Sequence, residues 1–399
     1  MKFDEGLDRK GTNCAKWDFL LEFFDREDVL PMWVADSDWK TSEAIIDALK
    51  ERVEHGAFGY TKPGKEHDRA VVDWIDRRYG WEIDPEWIVY TNGITPSLSI
   101  SVMTFTDVGD GVIIQPPVYF PFFQLIKNRG GQVIKNELLY DKDKKRYEQD
   151  FEHLEEKMRS QGSAMSRGDR SSMMILCNPH NPVGRVWTEE ELERIGEMAI
   201  ENDILVVSDE IFSDFIYEGE HTPFSSLSDE IAQNSMTLFS PAKTFNIAGL
   251  NLGLAVIPDP DLRDRFERAK EKLVKETNLL GLVAMKAAYN ESEDWLDEQL
   301  EYLQNNKRFA LRFAKEKIPK VDAVEPEGTF LLWLDFRDLG LEPEELDDLL
   351  LNEARVALNN GAWFGEGGKG FMRLNFACPR STLEEGLDRI NQAVRKVTR

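Results

Sequence analysis

MTLFSPAKTFNIAGL, residues 236–250, joins a short apolar run to a serine, a proline, a lysine and a string of small residues. Such a run reads as a buried strand, and the residues after it fall at the strand's carboxyl end. A lysine placed there, Lys243, can sit in a pocket where partial loss of water lowers its pKa toward imine chemistry. Alone, the signal is weak, because most lysines are solvated surface groups. The segments upstream of it decide the reading.

Between Trp87 and Pro258 the same kind of run recurs as WIVYT, GVIIQ, QVIKNELL, SMMILC, DILVVS and LGLAVI. Most of these runs are continuously apolar instead of alternating, as in a sheet covered on both faces. Helical patterns separate several of them. In Thr188–Asn202 (TEEELERIGEMAIEN) the threonine and downstream glutamates form a capping box. Strands alternating with helices predict an α/β architecture.

Outside this region the pattern changes. SEAIIDALKERVEH turns helical, with Ser42 as the expected cap. Residues 17–47 show no sustained period, so 1–47 reads as an N-terminal arm with part of a small domain. Residues 48–288 read as the large domain and 289–399 as a smaller α+β domain. In the last, a helix over Ser292–Ile318 precedes strands in TFLLWLDF, RVALNN and FMRLNFA, with helices near Pro343–Glu353 and Ser381–Lys396. Arg159–Ser172 is polar and charged and reads as a surface loop.

Several function classes are disfavoured. The formal net charge of the 399 residues is −25, from 74 acidic against 49 basic side chains, which repels nucleic acid and anionic membranes. Such acidity also suits a salty cytoplasm, where screening relieves self-repulsion. Cys14, Cys177 and Cys378 are far apart, so neither a disulfide framework nor a metal site is expected. The N-terminal stretch has no apolar core of a signal peptide, and no run reaches the roughly 18 apolar residues of a membrane span. A cytoplasmic protein acting on a small molecule is expected.

The strand ends carry the chemistry. DILVVS ends at Asp209, which after so apolar a run needs a cationic partner or strong hydrogen bonds to ionise; a protonated pyridine nitrogen would serve, and a helix cap is the plainer alternative. CNPHNPVGRVWT (177–188) presents Asn181 from a proline-rich turn, where it is either part of the turn alone or a donor to a phenolate oxygen. In TNGITPS (91–97) Gly93, Ile94 and Thr95 precede a helical pattern, an arrangement suited to cradling a phosphate. QPPVYFPF (115–122) holds Tyr119, which either lies on a cofactor ring or is a core aromatic.

In this order and spacing, TNGIT, QPPVY, NPHNPVG, SDE and SPAKTFN resemble the fold-type I pyridoxal-phosphate enzymes over nearly the whole chain. More specifically, LPMWVADSD (30–38), HGAFGYT (55–61), HTPFSS (221–226) and GFMRLNFACPR (370–380), with the segments above, look like the cystathionine β-lyases of MalY and PatB type. The resemblance implies the aspartate-aminotransferase-like fold, with a mostly parallel seven-stranded sheet between helices. It implies pyridoxal 5′-phosphate bound to Lys243 as a Schiff base, Asp209 at the pyridine nitrogen, Asn181 at the 3′ oxygen and Tyr119 on the ring. Ser240 and the Gly93–Thr95 turn would hold the phosphate. Arg373 would clamp the substrate α-carboxylate, with the backbone near Ala35 assisting. Tyr60 matches a tyrosine that reaches the neighbouring subunit's phosphate, so a homodimer is expected.

Two positions depart from related patterns. Phe212 stands where aminotransferases have tyrosine and many of these lyases histidine, and it cannot bond the 3′ oxygen. Asn251 stands where many aminotransferases have a phosphate-binding arginine. GEGGKG (365–370) fits a dinucleotide fingerprint only formally, because it precedes a strand, and reads as a flexible loop near Arg373. His180 and His221 lack ligand spacing, and no metal is expected.

The reaction expected from the resemblance is α,β-elimination on a cysteine thioether such as cystathionine, giving pyruvate, ammonia and a thiol. An aminotransferase is the first rival, since both reactions use the same lysine, aspartate and arginine. A protein of the same fold that binds a transcription factor is the second.

Overall fold

The computed structural model describes residues 3–159 and 171–398. Its centre is a seven-stranded sheet formed by β1 (Ile88–Thr91), β2 (Gly111–Ile114), β3 (Gln132–Lys135), β4 (Ser171–Cys177), β5 (Leu205–Asp209), β6 (Ser235–Phe239) and β7 (Gly253–Val256). In space the order is β1-β7-β6-β5-β4-β2-β3, and only β7 runs antiparallel to its neighbours. All seven apolar runs are therefore strands of one sheet, and the fold is the aspartate-aminotransferase-like α/β fold the sequence implies.

Continuity of the apolar runs follows from burial on both faces. Alternate residues of each strand enter different cores. Val112, Ile114, Ile175 and Val207 pack on one face with the helix Ile94–Phe105, while Ile113, Met174, Leu176 and Val206 pack on the other with the helix Glu189–Glu201. Each such side chain contributes about 1.5–3 kcal/mol through burial. Thr188 caps the latter helix: its Oγ1 accepts from Glu191 N–H at 3.2 Å, and Glu191 Oε2 accepts from Thr188 N–H at 2.9 Å.

A four-stranded antiparallel sheet lies C-terminal to this, built from β8 (Asp322–Val324), β9 (Leu331–Asp335), β10 (Asn359–Asn360) and β11 (Phe371–Asn375) in the order β8-β9-β11-β10. The helix Glu293–Lys317 precedes it and Arg380–Val397 follows.

Several local expectations are corrected. Ser42 occupies the N-cap position of the helix Glu43–Glu54 but its side chain makes no cap; Ser292 Oγ bonds to it at 2.9 Å instead. Residues 17–47, read as an arm without a sustained period, do hold short elements. They contribute to the helical turn Ala15–Asp18, a second one at Leu20–Phe24, and the short strand Leu30–Pro31, which pairs in parallel with Val356–Ala357. QVIKNELL stops as a central strand at Lys135, and Leu139–Asp141 forms a separate hairpin with Arg146–Glu148. Within GEGGKG, Glu366–Gly368 form a 3₁₀ turn that packs on the preceding turn Gly361–Phe364, where a Cβ on Gly361 would clash with Gly368 O. Of the loop expected at Arg159–Ser172, residues 160–170 lie outside the described residues; Arg159 closes a helix and Ser171 opens β4.

Candidate active site

Because β1, β2, β4, β5 and β6 are parallel, the segments following them emerge along one edge of the sheet, where open α/β sheets bind ligands. Antiparallel β7 brings its first residue, Gly253, to the same edge opposite Thr91. A cavity of about 400 Å³ opens there, lined by Gly93, Ile94, Thr95, Tyr119, Asn181, Asp209, Ser240, Lys243, Arg373 and Ala35. Of the residues expected at the site, only Tyr60 is elsewhere: it is 96% exposed on the surface of the chain.

Lys243 lies in the helical turn Pro241–Thr244 that follows β6, with Ser240 as N-cap. Its Nζ donates to Ala35 O at 2.7 Å. Burial, together with the Arg373 charge, pushes the Lys243 amine down to about 8 against the opposing pull of Asp36 and Asp209. A substantial neutral fraction near neutral pH is what an imine-forming lysine needs.

Asp209, at the end of β5, is 4% exposed and accepts from Ile211 N–H at 3.2 Å. Burial raises its carboxyl to about 7, with Glu210 adding to the rise. The bond to Ile211 belongs to a turn, and no helix begins at Asp209, so the helix cap weighed as the alternative is not formed. That bond does not by itself satisfy a buried carboxylate, whose ionised form calls for a cation from the cavity.

Arg373, in the middle of β11, is 3% exposed, and burial lowers its guanidinium to about 10. Its Nη1 donates to Asn181 Oδ1 at 3.0 Å, and its Nη2 donates to Trp33 O at 2.9 Å and to Asn359 Oδ1. Among the described residues it has no carboxylate partner, and its Nε is buried without a hydrogen bond. A buried, unneutralised fork beside a cavity fits an incoming carboxylate. Since Asn181 Oδ1 is used by Arg373, its amide N–H₂ is the end left to donate.

At the other end, Gly93 has φ +115 and opens the helix Ile94–Phe105, whose first amides lack helical partners. A Cβ on Gly253 would lie 2.6 Å from Thr91 Oγ1 and 2.8 Å from the Gly93 carbonyl carbon, so only glycine lets β7 pass so close behind this turn. Ser240 Oγ donates to Leu252 O at 2.6 Å and accepts from Ala242 N–H. Asn251 and Asn92 also border the cavity, and Asn92 Oδ1 is buried without a partner.

Tyr119 is half-buried in the cavity wall, and Phe212 is 2% exposed with its ring edge-on to Phe330. His180 and His221 are structural: His180 Nε2 bonds to Pro117 O at 3.0 Å, and His221 Nε2 to Glu210 Oε2 at 2.7 Å.

Sequence reasoning missed Trp33 and Asn359 as Arg373's partners, and Asn375, whose Nδ2 donates to Val34 O at 2.6 Å and Asp36 O at 2.7 Å. These contacts draw the 33–36 backbone across the small sheet and set Ala35 O against Lys243. An asparagine within an apolar strand run, as in RVALNN, is the signal available for Asn359.

The residues present fit pyridoxal phosphate. Lys243 would hold it covalently, the Gly93–Thr95 turn and Ser240 would face its phosphate, and Asp209 would meet its ring nitrogen. Asn181 would donate to its phenolic oxygen.

Comparison with known proteins agrees. Residues 29–390 match the model of the family aminotransferase class I and II. Cystathionine beta-lyase PatB of Bacillus subtilis (strain 168) is 44% identical, over 99% of this chain and all of the relative. Cystalysin from Treponema denticola, which contains a pyridoxal 5′-phosphate cofactor, superposes with a TM-score of 0.93 at 35% identity, covering 99% of this chain and 98% of that one. The pyridoxal-phosphate-bound C-S lyase from Staphylococcus hominis gives 0.90 at 30% identity, with the same coverage. The chain belongs to the aminotransferase class I and II family of pyridoxal-phosphate enzymes.

Proposed function

We propose that the protein is a carbon–sulfur β-lyase that cleaves L-cystathionine or related cysteine S-conjugates to pyruvate, ammonia and a thiol. Full-length similarity to PatB, a cystathionine beta-lyase, and to a C-S lyase supports this reading. That similarity is the observation that favours a lyase over an aminotransferase; the structure adds the placement of Lys243, lowered to about 8, in one cavity with the unneutralised Arg373, which either reaction uses.

Arg373 binds the substrate α-carboxylate through its fork and so orients the Cα–H bond. Ala35 O and the buried surroundings hold the Lys243 amine where it can take the Cα proton as a general base. Bound pyridoxal phosphate supplies the electron sink that makes this proton acidic. With the cofactor bound, Asp209 would keep its ring nitrogen protonated and Asn181 would donate to its phenolic oxygen. Tyr119, in the cavity wall, would face the ring. With Phe212 unable to donate there, Asn181 acts without help from that side.

The active unit is a homodimer in which Tyr60 extends to the neighbouring subunit's phosphate; its exposure in the single chain, beside Phe58 at 59%, supports this reading. Among the described residues no helix is long and apolar enough to cross a membrane, and the free thiols of Cys14, Cys177 and Cys378 suit a reducing, cytoplasmic setting.

The test is stoichiometry. With L-cystathionine, one pyruvate and one free thiol should appear per substrate consumed, with no keto acid added. Transfer of the amino group to an added keto acid, without thiol release, would make the protein an aminotransferase.

A further inference from the structure

The backbone that carries Ala35 is fixed on both sides of the lysine contact. Asn375 Nδ2 donates to Val34 O and Asp36 O. Asn246, three positions after Lys243, accepts from Ser37 N–H at 3.3 Å and donates to Ser37 O and Trp39 O, each at 2.9 Å. Asp36 directly follows Ala35, so this backbone sets a carboxylate near the amine, and the rotation of its side chain decides how near.

The N-terminal segment sets that rotation. Arg9 Nη2 donates to Asp36 Oδ2 at 2.7 Å, and its Nη1 donates to Ser37 O at 3.1 Å and Asp38 Oδ1 at 3.2 Å. Lys16, fully buried, donates to Asp38 Oδ2 at 2.6 Å and lies 3.9 Å from Asp36 Oδ1. Asp36 Oδ1 is buried without a hydrogen bond, so among the described residues Arg9 is the only hydrogen-bond donor to this carboxylate. Lys243 Nζ is bonded to a carbonyl and not to a carboxylate, yet Asp36 is the charge that acts on it most strongly, ahead of Arg373 and Asp209.

We propose that Arg9 is a positioning residue for the active-site lysine: by holding the Asp36 carboxylate on the N-terminal side, it prevents an Asp36–Lys243 ion pair and keeps the amine free to attack the cofactor carbonyl. The proposal rests on Lys243 as the residue that takes the cofactor. A buried carboxylate stripped of its donor is costly until it finds another. Lys16 is already held by Asp38, which leaves the Lys243 amine as the cation to turn to. An ammonium so paired holds its proton more firmly, and the neutral nucleophile becomes scarcer. Capture joins neutral Nζ to the aldehyde carbon of pyridoxal phosphate as a C=N bond and releases one water.

The test is the pH dependence of pyridoxal phosphate capture by the full-length apoprotein, read by stopped-flow absorbance, in variants that remove opposite ends of the pair. Arg9→Gln should move the inflection up from about 8 by about one unit, and Asp36→Asn, which leaves Arg9 unneutralised, should move it down by a similar amount. The double variant should fall between them, and Arg9→Lys, which keeps the charge, should stay close to the unaltered protein. Asp209 and Arg373, which also face the amine, are unchanged throughout. Loosening of the backbone alone would admit water and carry both single variants upward, toward about 10.4. An inflection that stays in place in either single variant, or moves against these signs, would overturn the proposal. Should Arg9→Gln not fold, as circular dichroism would reveal, the downward shift in Asp36→Asn decides. Capture that persists in Lys243→Ala would overturn the lysine assignment and this proposal with it.

Discussion

Lys243 Nζ and Ala35 O are 2.7 Å apart, although 208 positions separate them along the chain and their segments share no strand. The contact joins the lysine at the edge of the parallel sheet to a backbone strap held by the small antiparallel sheet. It fixes where the amine sits, while burial sets its proton affinity.

One consequence is a pH dependence of cofactor capture. The neutral amine is the nucleophile, and with Lys243 lowered to about 8 it is protonated below that value and free above it. The rate at which apoprotein takes up pyridoxal phosphate should rise from pH 7 and level off above about 9, whereas an ordinary lysine would continue to gain through about 10.4. Stopped-flow absorbance across this range reads the inflection.

Arg373 makes its contacts through two Nη atoms to three oxygens, a geometry an ammonium cannot reproduce. Arg373→Lys should lower kcat/KM for the amino-acid substrate about a hundredfold, mostly through KM, because a bidentate charge-assisted pair is lost. Cofactor affinity should change far less, as fluorescence titration with pyridoxal phosphate can establish.

Gly253 separates β7 from the phosphate turn. In Gly253→Ala the new methyl would lie within 2.9 Å of Thr91 Oγ1 and the Gly93 backbone, forcing that turn outward at a cost of about 1–3 kcal/mol. Retention of pyridoxal phosphate on dialysis should fall about tenfold or more. Turnover at saturating cofactor should be less affected.

Asn375 satisfies two strap carbonyls with one amide group. Asn375→Ala would leave Val34 O and Asp36 O without that donor, lowering stability by about 2 kcal/mol. Urea unfolding of the holoenzyme measures the loss, and KM for the amino acid should rise in parallel as the strap loosens around Ala35 and Trp33.

The seven central strands are legible in the sequence because burial on both faces makes them continuously apolar, and Lys243, Asp209 and Asn181 stand out as polar residues at the ends of such runs. Parallel topology then brings them together. The strap is not legible as structure, since Trp33 O and Ala35 O act through backbone atoms that every residue possesses. Asn359 lies in the expected strand run RVALNN, but its bond to Arg373 spans two strands and no local pattern encodes it, while β8, three residues long, is too short for a periodicity to show. Ser42 stands in the right place for a cap but finds a hydroxyl partner from a distant part of the chain, which no local pattern encodes.

Whether Lys243 carries the cofactor can be read from borohydride reduction of the holoenzyme followed by peptide mass mapping. The pyridoxyl mass is expected on the peptide containing Lys243, with the visible absorbance band and the label both absent in Lys243→Ala. A label on another lysine, or a band that survives in Lys243→Ala, would place the cofactor elsewhere and refute the assignment.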